Sequence, residues 1–516
     1  MDTILILDFG GQTTQLIGRR IRDLGVYSEI APGDASLDDV LHEDVKGIIL
    51  SGSPHSSWNE MSPKPDPAVL TCGLPVLGIC YGFHQLTLAD GGEVKALPHR
   101  EYGRSAVKHQ GSNRLFDGIP ESFLSWMSHG DSVSSLGLDY EQIAYSENGV
   151  PAAAAHLHKP FWGVQYHPEA SHCEYGEKLL ENFACGISKA RKEWSLEQYI
   201  EEEAKTLRQK ADGKDVLLLI SGGVDSTVAA ALLLRSLPHE KIWLMYVDTG
   251  MMRKGESEEV AKSLKALGAK NLLLIDARDR FLIPLAGIED PEKKRKIIGD
   301  SFIRVQKEEI AKHLPEGYML AQGTLYTDLI ESGQGVGNQA HVIKSHHNVG
   351  TPLVQAKRAA GELIEPLEKL YKDEVRRLGK LLGVSPDIVD RHPFPGPGLG
   401  IRILSDVTEE KLDILREADA IYISELKNRG LYHQIWQAFA VLLPVRSVGV
   451  TGDAREYGNV LGLRAVVSRD GMTADVFDFP TKDLLEISAK ITNNVKHIGR
   501  VVYDVSSKPP ATIEWE

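Results

Sequence analysis

Apolar runs alternate with amphipathic stretches through most of the chain, the pattern of parallel α/β layers. The clearest predicted strands of the N-terminal part are residues 4–7, 47–50 and 76–79, with 163–166 later. Each ends in a short polar or glycine-containing turn, where open α/β sheets place their chemistry. Between Gly186 and Gly213 the pattern changes to Lys, Glu and Gln with few strand formers, and 197–210 reads as one charged helix leading to a second domain. That domain opens on the buried-type strand 215–220 and continues through 241–247 and 271–275. A third unit follows the turn-rich stretch 391–400. The pattern predicts three domains, 1–190, 191–390 and 391–516, with no internal repeat.

A chain of 516 residues is too long for one hydrophobic core, in keeping with that division. Its 42% hydrophobic and 25% charged residues are ordinary globular composition. The net charge of −14 argues against wrapping nucleic acid. No window approaches the roughly 18 apolar residues of a membrane span. The start, Met1-Asp2-Thr3-Ile4-Leu5, lacks a basic region and runs into a strand, so no signal peptide is expected. Cys72, Cys80, Cys173 and Cys185 show no CxxC spacing and are expected to be free thiols in a reducing cytoplasm.

Gly78-Ile79-Cys80-Tyr81-Gly82 follows an apolar run and precedes a helix-compatible stretch. Small residues on both sides of a nucleophile allow the strained turn that lifts its side chain out of a sheet. The thiol would face the positive end of the next helix, which favours the thiolate. A buried structural cysteine is the alternative. The segment Gly163-Val164-Gln165-Tyr166-His167-Pro168-Glu169 adds a base and a carboxylate, and Cys–His–Glu is the logic of a catalytic triad.

With these segments the chain resembles the class I glutamine amidotransferases. The resemblance implies Cys80 as nucleophile, His167 as general base and acid, and Glu169 as its orienter. The intermediate would be a glutamyl thioester that releases ammonia. Ser51-Gly52-Ser53-Pro54 matches the family's oxyanion turn, with the main-chain N–H of Ser53 beside that of Tyr81. Within Ser128-His129-Gly130-Asp131, the resemblance makes Asp131 the holder of the glutamine α-amino group. Two positions depart from the pattern: Ser53 stands where the family has Gly, and His84, after Phe83, stands where it has Gln. The second bears on glutamine affinity.

Ser221-Gly222-Gly223-Val224-Asp225-Ser226 lies between a strand and a plausible helix. Its glycines let backbone approach oxyanions, and the helix start offers free N–H groups. Ser221 and Ser226 add hydroxyl donors, while Asp225 can hold Mg²⁺ against phosphates. No GKS/T follows, so it is not a Walker A loop. The segment resembles the PP-loop of ATP pyrophosphatases, which implies ATP as co-substrate and AMP and pyrophosphate as products. Val247, at the end of the next strand, is expected near the nucleoside end of ATP. Gly323 and Asp328, in Gly323-Thr324-Leu325-Tyr326-Thr327-Asp328, match a further nucleotide-site segment of that family, with Thr327 where it has Pro.

Three more segments resemble GMP synthases. The basic helix start 291–302 resembles their nucleotide lid, making Arg295 a candidate ligand of xanthosine monophosphate (XMP). Taken alone, such a charge run reads as a solvated face. Lys344 matches a family segment near the reacting groups. Residues 391–399, Arg-His-Pro-Phe-Pro-Gly-Pro-Gly-Leu, form a stiff loop close to a family signature. Near the end, Arg446 offers a guanidinium suited to a phosphate, and the tail match implies that Lys508 and Glu514 bind XMP. The resemblance implies an N-terminal class I glutaminase domain, a central doubly wound PP-loop domain and a small α+β C-terminal dimerisation domain. It also implies a homodimer. Other PP-loop amidotransferases, such as NAD or asparagine synthetases, lack this order of segments. A nucleotide-binding regulator with a decayed glutaminase is a rival of another class.

Overall fold

The computed structural model describes residues 1–59, 61–331, 351–451, 454–468 and 473–516, without the side chains of 97–100, 329–331, 451 and 454. The expected α/β architecture is borne out, and the chain divides into two compact units. The first is built on Met1–Tyr199 and takes in residues 327–331, the second on Ile200–Tyr326 and residues 351–516.

The first unit is organised by nine strands: β1 (Thr3–Asp8), β2 (Tyr27–Pro32), β3 (Val45–Leu50), β4 (Val76–Ile79), β5 (Glu93–His109), β6 (Ser122–Ser135), β7 (Tyr140–Ser146), β8 (Pro151–His156) and β9 (Phe161–Val164). They form one sheet in the order β2-β1-β3-β4-β9-β8-β7-β5-β6. From β2 to β9 all pairs are parallel; from β9 to β6 all are antiparallel. The parallel strands are continuous apolar runs because both faces are covered. Ile4 and Ile6 enter one buried cluster, and Leu5 and Leu7 enter another on the opposite face. β6 instead alternates exposed and buried positions over its first half, as a one-sided antiparallel strand does. The expected strand 163–166 lies two residues earlier, ending at Val164.

The helix Leu196–Ala211 occupies the expected charged stretch. The second unit then forms a parallel sheet from β10 (Val216–Ile220), β11 (Ile242–Asp248), β12 (Asn271–Asp276), β13 (Met319–Ala321) and β14 (Leu363–Ile364), in the order β12-β11-β10-β13-β14. The chain reverses direction across the sheet between β10 and β13, the switch point at which doubly wound sheets bind ligands. A second sheet holds β15 (Gln437–Thr451), β16 (Ala454–Val467), β17 (Asp475–Val476) and β18 (Ile498–Tyr503), with antiparallel β15–β16 and parallel β16–β18 pairs. The helices Glu409–Asn428 and Thr481–Asn494 complete this α+β part. Leu217 and Met245 of the parallel sheet share one buried cluster with Leu412, Leu461 and Ile487. No helix among the described residues is long and apolar enough to cross a membrane.

Candidate active sites

Strand register assembles the first site. Ile79 pairs with Val164, so the residues that follow, Cys80 and Gln165, leave adjacent strand ends side by side. Cys80 N donates to Val164 O at 2.7 Å. The Cys80 backbone has φ 52° and ψ −102°, a conformation that costs a non-glycine residue about 1–3 kcal/mol. The flanking glycines permit it: a Cβ on Gly78 would lie 2.5 Å from the Gly82 carbonyl carbon, and one on Gly82 would lie 2.3 Å from Leu50 O. The helix Tyr81–Ala89 starts directly after the thiol. Cys80 is buried, as are His167 and Glu169, and all four cysteines are free.

His167 Nδ1 is 2.7 Å from Glu169 Oε1, and the Cys80 sulfur acts on the same ring. Burial pushes the His167 pKa down, but the Glu169 carboxylate and the Cys80 sulfur outweigh it and hold it well above its ordinary value. The turn Ser51–Pro54 borders the same space. A Cβ on Gly52 would meet His167 Cε1 at 3.2 Å, and Gly82 N donates to Ser51 O at 3.1 Å. Tyr81 is the first helical residue, so its N–H lacks an intrahelical acceptor. Ser53 Oγ accepts from His55 N at 3.1 Å, leaving its hydroxyl engaged within the turn. Asp131 follows His129 on β6, and the Asp131 carbonyl is 3.0 Å from His129 Nδ1.

His84 is buried on the helix behind Cys80. Its Nε2 is 2.9 Å from Gln165 Oε1 and its Nδ1 is 3.3 Å from Ser57 Oγ. The Gln165 amide in turn donates to Cys80 Sγ at 3.7 Å. Neither Ser57 nor Gln165 carries a chemical signal in the sequence; only the fold makes them partners of His84 and brings Gln165 to the thiol.

The second site lies at the switch point. Gly222 has φ +79°, and the loop is closed by its own hydroxyls: Ser226 Oγ donates to Gly223 O at 3.2 Å and Thr227 Oγ1 to the same carbonyl at 2.9 Å. The helix Val224–Ser236 follows at once, directing its free N–H groups into the loop. Gly323 lies against this turn, since a Cβ there would be 3.1 Å from Ser226 N. Val247 is the penultimate residue of β11, before Asp248, whose carboxylate accepts from Gly250 N and Ser257 Oγ. Lys372 Nζ holds both oxygens of Asp225 at 2.6 Å, a partner invisible in the sequence. One half-exposed carboxylate beside a phosphate-type loop fits Mg²⁺, which usually takes one or two carboxylates and completes its shell with phosphates and water. Asp328 lies apart from the loop sequence, in the separate helix Tyr326–Glu331. Lys344 falls outside the described residues.

The signature loop packs onto the end of β11. A Cβ on Gly398 would lie 2.4 Å from Met251 O, and Leu399 N donates to that carbonyl at 2.8 Å. Of the acceptor-site candidates, Arg295 donates to the main-chain oxygen of Glu516, whereas Glu514 is engaged by Arg402 and Gln437. Arg446 is exposed on β15 and donates to Tyr457 O across its own hairpin; Lys508 pairs through its backbone with Ala474. The charge run 291–302 is not wholly a solvated face: Lys294 is fully buried and pairs with Glu516 at 2.8 Å.

Residues 5–187 match the class-I glutamine amidotransferase family, so the first unit carries a domain of that class. Residues 424–515 match the GMP synthase C terminal domain. The chain is 50% identical over 515 residues to a glutamine-hydrolysing GMP synthase of Bacillus velezensis, covering 100% of this chain and 99% of that protein. It is 49% identical over 528 residues to the one of Chlorobium luteolum, with full coverage of both. The chain belongs to the glutamine-hydrolysing GMP synthase family.

Proposed function

We propose that this enzyme aminates XMP to GMP with ammonia taken from glutamine, at the cost of ATP cleaved to AMP and pyrophosphate. The observation that carries this reading is the presence in one chain of the Cys80–His167–Glu169 constellation and the Ser221–Ser226 phosphate loop. In the first unit the Cys80 thiolate attacks the glutamine carboxamide, His167 delivers a proton to the departing ammonia, and water cleaves the thioester to glutamate. The N–H groups of Ser53 and Tyr81 stabilise the oxyanion, an effect of about 3 kcal/mol per donor. Asp131 holds the glutamine amino group.

In the second unit Ser221, Gly222, Gly223, Val224 and Ser226 bind the ATP phosphates, with Val247 and Gly323 beside the nucleoside. Asp225 would hold Mg²⁺, which would supply positive charge against the phosphates. The XMP 2-oxygen attacks the α-phosphorus and expels pyrophosphate; ammonia then attacks C2 and AMP leaves. Arg295, Arg446, Lys508 and Glu514 bind XMP, and Asp328 and Lys344 serve the same synthetase site. The enzyme works as three domains, 1–190, 191–390 and 391–516, in the cytoplasm. It works as a homodimer, a reading supported by the exposed Val445, Val448, Val450 and Tyr457 on the β15–β16 hairpin.

GMP formation measured with glutamine and with ammonium salt tests the reading. Cys80→Ala loses the glutamine-driven reaction and keeps the ammonia-driven one. Equal loss of both would mean that the two half-reactions are not separable in this way, and dependence of AMP release on a carboxylate instead of XMP would replace the acceptor.

A further inference from the structure

The replacement of the family's Gln by His84 acquires a role once its neighbours are known. His84 is 3% exposed and both ring nitrogens face protein partners, so the ring is placed to act within the protein. Gln165 Oε1 can only accept, so His84 Nε2 carries the proton and Nδ1 accepts from the Ser57 hydroxyl. With Oε1 held by His84, the Gln165 NH₂ group must face the other way, toward Cys80 Sγ.

We propose that His84 is a positioning residue for the nucleophile: by fixing the Gln165 amide, it aims a hydrogen-bond donor at the sulfur of Cys80. The inference rests on Cys80 being the glutaminase nucleophile. A reversed amide would present its oxygen to the sulfur, which suits a thiol and repels a thiolate. With its proton on Nε2, the imidazole holds the orientation that favours the attacking form. Burial lowers the His84 pKa to about 4, keeping the ring neutral at neutral pH; His129 and Asp131 are the titratable groups that also act on it. His167, paired with Glu169, is the titratable group that acts together with the Cys80 sulfur.

The test compares the full-length enzyme with His84→Ala, His84→Met, His84→Gln, Gln165→Ala and the His84→Ala/Gln165→Ala double variant. Two quantities are read: the rate of Cys80 alkylation by iodoacetamide at pH 7, followed on the Cys80 peptide by mass spectrometry, and kcat and KM for glutamine hydrolysis. His84→Ala and His84→Met are expected to lower the alkylation rate and kcat by about tenfold each, as for loss of one hydrogen bond to a charged group, with little change in KM. His84→Gln restores most of both, since an amide can donate to Gln165 Oε1. The double variant is no worse than Gln165→Ala, because both changes remove one contact.

His84→Met covers the case in which the alanine variant does not fold. An unchanged alkylation rate in either apolar variant overturns the inference. So does a His84→Gln variant as impaired as His84→Met, or a rise in KM at constant kcat, which would make His84 a glutamine contact. Retention of glutaminase by Cys80→Ala would instead remove the underlying reading, a result distinct from all of these.

Discussion

Lys372 Nζ lies 2.6 Å from each carboxylate oxygen of Asp225, at the start of the helix that follows the phosphate loop. Both side chains are partly exposed, at 42% and 31%, so the pair adds less than about 1 kcal/mol to stability. Its value is placement: an ammonium and a carboxylate meet where a triphosphate and Mg²⁺ would sit. Lys372→Ala is expected to raise the KM for ATP about tenfold, as for a charge-assisted phosphate contact. Asp225→Asn is expected to lower kcat at least about a hundredfold with glutamine or ammonia. Steady-state AMP formation and urea unfolding check both, and a loss of stability above about 1 kcal/mol would make the pair structural instead.

Gly82 faces the backbone of β3. A methyl group there would meet Leu50 O at 2.3 Å and Leu50 Cβ at 2.5 Å, and a strand carbonyl cannot step aside as a flexible side chain can. Gly82→Ala is expected to cost about 1–3 kcal/mol. It should also lower glutamine-driven activity more than ammonia-driven activity, because the shift falls on the turn that carries Cys80. Thermal unfolding and the two assays measure each effect.

What the sequence made legible was whatever lies in consecutive residues. Cys80 stands within one strand–turn–helix segment and His167 and Glu169 within another, while Ser221 to Ser226 are contiguous, so residue type and order announce them. Pairings set by the fold were hidden. Lys372 is 147 residues from Asp225, His84 is 81 from Gln165, and Lys294 is 222 from Glu516. No local pattern distinguishes Lys294, fully buried, from Lys293 or Lys296 on the same helix. Composition reads the run as solvated, whereas Ile403 O and the Glu516 carboxylate together select the one lysine that is not. His84 shows the same limit: its departure from the family pattern was visible, but not the amide that gives it a partner.

His392 stacks on Tyr432 at 3.8 Å, accepts from Ala438 N through Nδ1 and donates to Tyr432 O through Nε2, an arrangement only a neutral ring satisfies. Burial lowers its pKa from 6.5 to about 4. The unfolded chain therefore binds a proton that the native state does not between these values. The contribution is full above pH 6.5 and is lost as pH falls toward 4, reaching roughly 3 kcal/mol at about 1.36 kcal/mol per unit. His167, whose pKa is raised, has the opposite sign: its contribution is present below 6.5 and lost as pH rises through its native value. Urea unfolding of the second unit at pH 7 and pH 5 should show a smaller acid loss in His392→Gln than in the parent.

Arg402 is fully buried and forks onto Glu514, with Nη2 at 2.7 Å and Nε at 3.1 Å, while its guanidinium lies 4.1 Å from the Phe439 ring. Gln437 Nε2 supplies a third donor to the same carboxylate at 2.8 Å. Removing either partner strands a charge in a dry site. Glu514→Ala is therefore expected to destabilise by about 3–5 kcal/mol, and any accompanying loss of XMP binding would mix ligand loss with tail disorder. Glu514→Gln separates them: it keeps an acceptor for one Arg402 N–H and removes only the charge. If Glu514 contacts XMP directly, the KM for XMP rises in Glu514→Gln even when it is assayed well below the lowered unfolding midpoint. If the carboxylate serves only to seat Arg402, the midpoint falls and the KM for XMP does not move.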